Sequence, residues 1–293
     1  MTMTSHDNHI RAELAWAVAR LLAAGIDTPQ LDAQLLLSHV TGLSRTQLIA
    51  HPEQQISEDE HQLFCALVEK RQNREPLPYL LGEWEFWGLK FEVNPSVLIP
   101  RPETEMLVEA CVEWVGDRRT TIVEIGAGSG AILVALGKSL PGAILFGTEI
   151  CPEAAGTARR NVERHGLAGR ITLLVGDLAQ PLRDAGLAGQ FDAIVSNPPY
   201  IAECLADHLQ PEVQKEPRLA TVAGPDPLLF YRRILDEAPT LLKARGRVFF
   251  EIDPGLTGPI RGLGLERGFR FIEMRRDLAG LERVMILECE YSK

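Results

Sequence analysis

The chain has 293 residues, of which 45% are hydrophobic and 24% are charged, and its formal net charge is −10. These proportions are ordinary for a globular protein, and the length allows two domains that each bury a hydrophobic core. Because the field of an acidic chain opposes a polyanion, the composition argues against direct DNA binding.

The sequence contains no segment typical of secretion or of a membrane span. Met1–His9 is polar and unlike a signal peptide, and no run reaches the roughly 18 apolar residues that a transmembrane helix needs. The five cysteines form no C-x-x-C pair, and the seven histidines show no H-x-x-x-H spacing. We therefore expect a cytoplasmic protein with unpaired thiols and no metal ion.

The sequence pattern in the first third of the chain predicts helices alone. Thr28 followed by Pro29 is typical of a helix start, and Gly42 is typical of the end of that helix. Ser57 and Glu60 have the spacing of a capping box, which predicts a longer helix after Ser57. Short connections between such helices indicate a compact bundle.

The rest of the chain predicts a β-hairpin and then an α/β domain. The hairpin comprises Glu83–Phe86 and Leu89–Val93. Apolar strands then alternate with amphipathic helices; the strands are Thr121–Ile125, Ala143–Glu149, Ile171–Val175, Phe191–Ser196 and Arg247–Ile252. Phe269–Arg275 and Arg283–Cys289 are expected to add an antiparallel pair at the sheet edge. The pattern predicts a doubly wound, mainly parallel, seven-stranded sheet covered on both faces.

These patterns predict that the chain is divided into three parts. Residues 1–76 are expected to form a helical domain, residues 77–100 a linker with the hairpin, and residues 101–293 the α/β domain.

A glycine-rich loop follows the first strand of the α/β domain. The loop reads Gly126-Ala127-Gly128-Ser129-Gly130 and leads into a helix. Glycines allow sharp turns and close approach of a ligand, and the amides at a helix N-terminus can face that ligand. In this strand–turn–helix setting the loop predicts a nucleoside-type ligand, although a dinucleotide cofactor would use the same pattern.

Acidic residues end the next two strands. Glu149 closes the second strand, where a carboxylate can accept hydrogen bonds from both ribose hydroxyls. Asp177 follows the third strand and could accept a hydrogen bond from an adenine amino group, with Leu178 packing on the ring. The structural alternative for Glu149 is an exposed acid at a strand end, and the alternative for Asp177 is an ordinary turn aspartate.

The fourth strand ends in Ser196-Asn197-Pro198-Pro199-Tyr200. Consecutive prolines remove backbone donors and fix the chain, so carbonyl oxygens are left facing outward. The Asn197 side-chain oxygen and the Pro198 carbonyl can accept hydrogen bonds from both hydrogens of a planar NH2 group. Tyr200 can stack on the plane of that group. This pattern predicts a site that presents the nitrogen to an electrophile, with Asn197, Pro198 and Tyr200 as catalytic residues.

These residues, in this order, resemble the class I methyltransferases, which have a Rossmann-like fold, and Asn-Pro-Pro-Tyr is typical of amino methyltransferases. The stretch Pro78–Gly88 followed by Ile99-Pro100-Arg101-Pro102-Glu103-Thr104-Glu105 is similar to the peptide chain release factor N5-glutamine methyltransferases, the HemK/PrmC family. The resemblance covers essentially the whole chain.

The resemblance implies S-adenosylmethionine as methyl donor, S-adenosylhomocysteine as product, and the glutamine of the Gly-Gly-Gln loop of bacterial release factors as substrate. It implies that the N-terminal helical domain recognises the substrate and that Arg101–Glu105 line the outer wall of the cofactor pocket. The implied substrate clamp is Asn197, Pro198, Pro199 and Tyr200. The implied cofactor residues are Gly126, Ala127, Gly128, Ser129, Gly130, Glu149, Asp177, Leu178 and Asn197.

Two stretches depart from the family pattern. Glu124 stands where the family usually has Asp, so the acidic group is kept. Ala223–Leu228 stands where the family tends to show Gly-Gly-x-Asp-Gly-Leu, and its two prolines predict a stiffer segment.

Several other functions share parts of these patterns. An adenine-N6 nucleic-acid methyltransferase also binds an NH2 group on a flat ring. The acidic helical domain, with six basic and ten acidic side chains in residues 1–78, argues against it. A glutamine methyltransferase of a ribosomal protein is a nearer alternative. A nicotinamide-dependent dehydrogenase would leave Asn-Pro-Pro-Tyr unexplained, and a non-catalytic binding module would bind ligands without methyl transfer.

Overall fold

The computed structural model describes residues 8–290. They form two compact units: residues 8–82 together with Gln210–Lys215, and Glu83–Leu209 together with residues 216–290. No helix among these residues is both long and apolar enough to cross a membrane. Most of the polar N-terminal stretch considered above, residues 1–7, lies outside the described residues.

The first unit is a small helical bundle. Its helices are α1 (Ile10–Ala23), α2 (Pro29–Thr41), α3 (Arg45–Ala50), α4 (Glu58–Gln72) and α5 (Leu77–Leu81), and Val213–Lys215 is a 3-10 turn. The predicted capping box of α4 is confirmed, because Ser57 and the N3 residue Glu60 bond reciprocally. Gly42, at φ 69°, ends α2 as predicted. Thr28 makes no side-chain cap; its hydroxyl donates to Asp32 at 2.7 Å instead.

A buried charge network lies in the same unit. Arg71 donates to Asp32 Oδ2 at 2.7 Å, and both side chains are almost completely buried. Glu212, from the distant segment 210–215, accepts hydrogen bonds from Arg71 at 2.8 Å and from Arg74 at 2.9 Å. Burial of these charges is possible because each has an opposite partner. No local sequence pattern indicates this network, since more than 130 residues separate Glu212 from both arginines.

The hairpin is built as predicted and belongs to the second unit. It comprises β1 (Glu83–Phe86) and β2 (Leu89–Glu92), which pair antiparallel. Phe86 and Phe91 are buried in the core of that unit. The residues of the predicted linker are therefore divided, with α5 in the first unit and the hairpin in the second. The domain boundaries at residues 76 and 100 stay a prediction.

The remaining elements form the α/β part. The helices are α6 (Glu105–Val115), α7 (Ala131–Ser139), α8 (Pro152–Arg164), α9 (Gln180–Asp184), α10 (Arg218–Thr221), α11 (Leu229–Leu241) and α12 (Thr257–Glu266). The strands are β3 (Thr121–Ile125), β4 (Ile144–Glu149), β5 (Ile171–Val175), β6 (Phe191–Ser196), β7 (Ile201–Ala202), β8 (Val222–Gly224), β9 (Leu242–Glu251), β10 (Phe269–Arg276) and β11 (Glu282–Cys289). Short 3-10 turns span Pro102–Thr104, Glu203–His208 and Pro254–Leu256.

Seven of these strands form the main sheet, in the order β10-β11-β9-β6-β3-β4-β5. All neighbours are parallel except those of β11, which runs antiparallel to β9 and β10. The predicted seven-stranded, mainly parallel sheet is thus confirmed. Strand β9 begins five residues before the predicted Arg247, because its pairing with β6 continues past an irregularity that ends at Leu242.

Both faces of the sheet are covered. Successive side chains of a strand point to opposite faces, so Ile122 packs in the layer with α6 and α7 whereas Val123 packs in the layer with α11 and α12. After β3 the chain continues to β4 on one side, and after β6 it continues to β9 on the other. The crevice at the carboxyl ends of β3 and β6 is therefore the topological switch point, where open α/β sheets bind ligands.

Close packing against β4 gives the first prediction. A Cβ at Gly147 would lie 2.5 Å from Leu133 Cδ1 and 2.8 Å from Leu173 Cδ2. We expect Gly147→Ala to lower the free energy of unfolding by about 1–3 kcal/mol through overpacking. Equilibrium urea unfolding measures this change.

Gly142→Ala is the matched control, because a Cβ there would meet only ordinary contacts at 3.6 Å or beyond with Arg119. This variant should unfold at the urea concentration of the unmodified chain or above it. Equal destabilisation of both variants would show that packing against Leu133 and Leu173 is not the cause.

Candidate active site

A cavity of about 240 Å³ opens at the carboxyl ends of the central strands. Its wall includes the sequence-predicted residues Gly126, Gly128, Glu149, Asp177, Leu178, Asn197, Pro198 and Pro199. A smaller space of about 50 Å³ shares Gly126, Gly128 and Asn197 with it and also contacts Ala127 and Ser129. The structure therefore brings together most residues that sequence patterns selected, from four separate strand ends. Gly130 and Tyr200 line neither space.

The glycine loop is held by the protein itself. Gly126, Gly128 and Gly130 have φ values of 81°, 53° and 77°, which glycine adopts without strain. The N–H groups of Gly126 and Ala127 both donate to the Thr148 carbonyl at 2.9 Å, and that of Gly130 donates to the Ala127 carbonyl at 2.7 Å. These amides are thus already bonded, contrary to the expectation that the loop offers its donors to a ligand.

Glu149 uses its carboxylate to complete this arrangement. Its Oε2 accepts from the Gly128 N–H at 2.8 Å, and its Oε1 accepts from the Cys151 N–H at 2.9 Å. A pyrophosphate needs unoccupied amides at such a loop, whereas a nucleoside without a phosphate does not. Each carboxylate oxygen retains a lone pair for a hydroxyl donor. The loop and Glu149 together suit a nucleoside without a phosphate better than a dinucleotide with its pyrophosphate.

Glu124 is a buried carboxylate beside the loop whose role sequence reasoning missed. It lines the smaller space, and its Oε2 is buried without a hydrogen-bond partner. Burial, together with the nearby Glu149 carboxylate, raises the pKa of Glu124 well above its ordinary value. An ammonium group in the smaller space would supply the missing partner. Apart from the family's usual Asp at this position, no sequence signal distinguished Glu124 from a core residue.

Asp177 and Leu178 form a second part of the cavity wall. Asp177 Oδ2 accepts from Arg233 Nη2 at 2.6 Å, which fixes the carboxylate and leaves Oδ1 for another donor. Leu178 has φ 47°, which is unusual for a residue other than glycine and is found at functional sites. Arg233 lies on α11, and local sequence patterns gave no sign of it.

Asn197 and the prolines extend from β6 into both spaces. Ser196 donates to the Ile125 carbonyl at 2.7 Å and thereby joins the ends of β6 and β3. Asn197 Nδ2 donates to Thr104 Oγ1 at 3.3 Å, so the side-chain oxygen Oδ1 remains as an acceptor. Pro198 is buried and Pro199 is half-buried. Two acceptors, Asn197 Oδ1 and the Pro198 carbonyl, are therefore available in one short segment.

Tyr200 lines neither of the two spaces, and its stacking on a ligand stays a prediction. Its ring packs against the hydrophobic layer that contains Tyr231 and Phe250. Burial, reinforced by the nearby Glu251 carboxylate, raises the pKa of Tyr200 to about 12. The phenol therefore stays protonated near neutral pH and cannot act as a general base there.

The Arg101–Glu105 stretch contributes two side chains to the smaller space, Arg101 and Thr104. Arg101 forms an ion pair with the buried Glu216, which also accepts from the Ile99 N–H at 3.2 Å. Glu105 instead accepts from the Trp87 N–H at 2.7 Å. The segment thus forms one wall of the space while its acidic end binds the hairpin.

One group of possible metal ligands occurs among residues 8–290, in the helical unit. Glu13 Oε1 lies 2.7 Å from His61 Nδ1, and Cys65 Sγ lies 3.6 Å from His61 Nε2. Burial, followed by the nearby Glu13 carboxylate, raises the pKa of Cys65, so the thiol stays protonated. These contacts are satisfied without an ion. The absence of a metal stays a prediction.

Comparison with known proteins identifies relatives of this chain. The family model of the PrmC N-terminal domain matches residues 13–82, and that of the methyltransferase small domain matches residues 102–211. The release factor glutamine methyltransferase of Geobacter sulfurreducens is 41% identical, with 94% of this chain and 95% of that protein covered. The protein of the same name from Moorella thermoacetica is 39% identical, with 94% and 97% covered.

Solved structures agree on the fold. A methyltransferase from Pyrococcus furiosus superposes with a TM-score of 0.51 at 21% sequence identity and covers 69% of this chain and 89% of its own. Identity at this level shows the fold alone, which is that of the class I methyltransferases. The curated relatives are far more similar and match nearly end to end, so the chain belongs to the release factor glutamine methyltransferase family.

Proposed function

We propose that this protein transfers a methyl group from S-adenosylmethionine to the side-chain amide nitrogen, N5, of the glutamine in the Gly-Gly-Gln motif of bacterial peptide chain release factors. The observation that carries the proposal is the position of Asn197-Pro198-Pro199 in one cavity with Gly126, Gly128 and Glu149. The family names support the same reaction.

The cavity residues fit the proposed cofactor. Glu149 would accept hydrogen bonds from the ribose hydroxyls, while Asp177 and Leu178 would contact the adenine. Glu124, with its unpartnered oxygen, would receive the ammonium of the methionine part. When bound, S-adenosylmethionine supplies an electrophilic methyl group on a positively charged sulfur. The bonded loop amides suit this ligand because it carries no phosphate.

Asn197 and Pro198 would hold the glutamine amide. An amide nitrogen is a weak nucleophile, so most of the catalytic effect must come from positioning and polarisation. Asn197 Oδ1 and the Pro198 carbonyl would each accept a hydrogen bond from one N–H of the glutamine amide. These two hydrogen bonds would fix the plane of the amide. As the nitrogen forms its new bond to carbon, it becomes more acidic and one of its protons passes to water. The raised pKa of Tyr200, about 12, keeps its phenol protonated near neutral pH, so water is the better proton acceptor.

The other functions considered from the sequence are not favoured. Adenine-N6 methylation and methylation of a ribosomal protein both lack support from the relatives, whose names specify release factor glutamine. A nicotinamide-dependent dehydrogenase would need the loop amides that Thr148 and Glu149 occupy. We further propose that residues 1–76 recognise the release factor, and that the reaction takes place in the cytoplasm, where translation terminates.

The direct test uses purified protein, S-adenosylmethionine with a labelled methyl group, and a bacterial release factor. We expect one methyl group on the Gly-Gly-Gln glutamine, located by mass spectrometry of the peptide. DNA and ribosomal proteins are the control substrates. Label on either control, with none on the release factor, would overturn the proposal.

Replacement of the amide acceptor should separate catalysis from cofactor binding. We expect Asn197→Ala to remove detectable turnover while the dissociation constant for S-adenosylhomocysteine changes by no more than about fivefold, because most cofactor contacts lie elsewhere. Radiometric assay and calorimetric titration measure the two quantities. Turnover near that of the unmodified enzyme would exclude Asn197 as the clamp.

Replacement of the ribose carboxylate should have the opposite effect. We expect Glu149→Gln to weaken S-adenosylhomocysteine binding by about 1–3 kcal/mol, since it removes charge-assisted hydrogen bonds. Glu153→Gln, an exposed acid four residues further along, is the matched control and should bind normally. Calorimetric titration of both variants decides the matter. Unchanged affinity in Glu149→Gln would remove the carboxylate from the cofactor site.

A further inference from the structure

Exposed large apolar side chains of the second unit are concentrated at the edge of the sheet where the active-site cavity opens. Among the described residues of this unit, six of the eight such side chains lie at or beyond the carboxyl ends of parallel strands: Ile150, Val175, Leu205, Leu219, Leu278 and Leu281. The other two, Ile144 and Leu265, lie at the opposite edge, at the start of β4 and near the end of α12. An apolar rim of this kind indicates a surface that another molecule covers.

The β10–β11 turn, residues 277–281, is the most exposed part of this rim. Leu278 is completely exposed, and 45% of Leu281 is exposed. Turns between strands ordinarily carry glycine, asparagine, aspartate or serine. A completely exposed side chain buries no apolar surface, so Leu278 gives the folded chain no hydrophobic stabilisation. Its apolar character therefore needs a reason outside the fold.

The backbone of this turn is held in one conformation. Asp277 Oδ1 accepts from the N–H groups of Ala279 and Leu281, both at 2.9 Å, and its Oδ2 accepts from Arg283 Nε at 2.8 Å. The Asp277 N–H also donates to the Leu281 carbonyl at 2.8 Å. Because the backbone that carries the two leucines is already ordered, contact with a partner costs little conformational entropy.

The charged side chains that flank the turn are paired with one another. Arg276 donates to Glu282 at 2.6 Å, and Arg283 donates to Asp277 at 2.8 Å. Exposed apolar groups bordered by polar ones are typical of protein–protein interfaces, whereas a nucleic acid would need cations available for its phosphates. The turn is therefore suited to an apolar patch on another protein.

The turn lies at the same edge of the sheet as Asn197. Ser196 at the end of β6 pairs with Phe250 on β9. Glu251, the next residue of β9, pairs with Val284 near the start of β11. Only β9 separates β6 from β11, so strand spacing places the turn about 10–15 Å from Asn197 along the sheet. A standard protein interface covers about 800 Å² on each partner, roughly 30 Å across, and would span this distance.

We propose that the β10–β11 turn is a docking surface for the release factor, with Leu278 and Leu281 in contact with an apolar patch beside the Gly-Gly-Gln loop. The proposal rests on the proposed function, because a protein that delivers its glutamine to Asn197 must cover the mouth of the cavity. A second copy of this chain seated on the turn would obstruct that mouth, which favours the substrate as the occupant.

The first test places a charge in the proposed contact. With S-adenosylhomocysteine bound, we expect Leu278→Asp to weaken binding of the release factor on the order of 10-fold in calorimetric titration. The KM for the release factor should rise by a similar factor, while kcat stays within about twofold, because the reacting groups are unchanged. Affinity for S-adenosylhomocysteine and the melting temperature should not change, since the side chain is completely exposed.

Leu265→Asp is the matched control, because it adds the same charge at an exposed leucine on the opposite edge of the sheet. This variant should bind and methylate the release factor as the unmodified chain does. Equal losses in both variants would show an effect of net charge alone and would overturn the docking surface. Normal affinity in Leu278→Asp would overturn it as well.

Crosslinking tests the contact without turnover. Benzoylphenylalanine in place of Leu278 should form an adduct with the release factor on irradiation, located by mass spectrometry near the Gly-Gly-Gln loop, whereas the same group at Leu265 should form none. Adducts between two copies of the enzyme instead would overturn the proposal.

The two proposals fail in different ways. If the unmodified enzyme binds the release factor without methylating it, the proposed function is wrong, while the affinities and adducts still decide the docking surface. If methylation is normal and Leu278→Asp binds the release factor fully, only the docking surface is wrong.

Discussion

The parallel pairing of β3 with β6 is the constraint on which the site depends. Glu124 pairs with Val195, so Gly126 and Asn197 emerge at the same edge although they are 71 residues apart. The Ser196 hydroxyl binds the Ile125 carbonyl and keeps the two strand ends together where the ladder stops. A slip of one residue would turn the alternating side chains to the opposite faces and would bury polar groups in the hydrophobic layers. Packing on both faces of the sheet therefore fixes the distance between the glycine loop and the amide clamp.

Many polar groups around the cavity already have hydrogen-bond partners within the protein. The loop amides bind Thr148 and Glu149, and Asn197 binds Thr104, so these groups are held in place by protein partners. Such preorganisation lowers the entropic cost of binding and keeps a weak nucleophile in one orientation. It also accounts for ligand choice, because a loop whose amides are occupied offers little to a pyrophosphate and much to a ribose.

Sequence patterns predicted the fold well because they depend on interactions between residues that are close in the sequence. Glycines, prolines and alternating apolar strands act within a few residues, and the boundaries of β3, β5 and β6 were predicted without error. Strand ends of a parallel sheet also meet at one edge, which is why Glu149, Asp177 and Asn197 could be selected together. The Arg71–Glu212 network and the Arg233–Asp177 pair join distant segments, and no local pattern encodes such contacts. The packing of Tyr200 against the hydrophobic layer that contains Tyr231 and Phe250 joins distant segments too, and the motif around Tyr200 does not encode it.

The strands on either side of β6 each carry a buried acid near the site, Glu124 on β3 and Glu251 on β9. Glu124 and Glu251 each have one oxygen without a partner, and burial raises the pKa of both. Such groups reduce stability, since a buried carboxyl group loses its hydration. Their positions differ: Glu124 borders the space beside the glycine loop, whereas Glu251 lines neither that space nor the larger cavity. A ligand cation in the smaller space would lie beside Glu124 and would favour its ionised form. Of the two acids at this edge of the sheet, Glu124 is therefore the one whose position suits ligand binding.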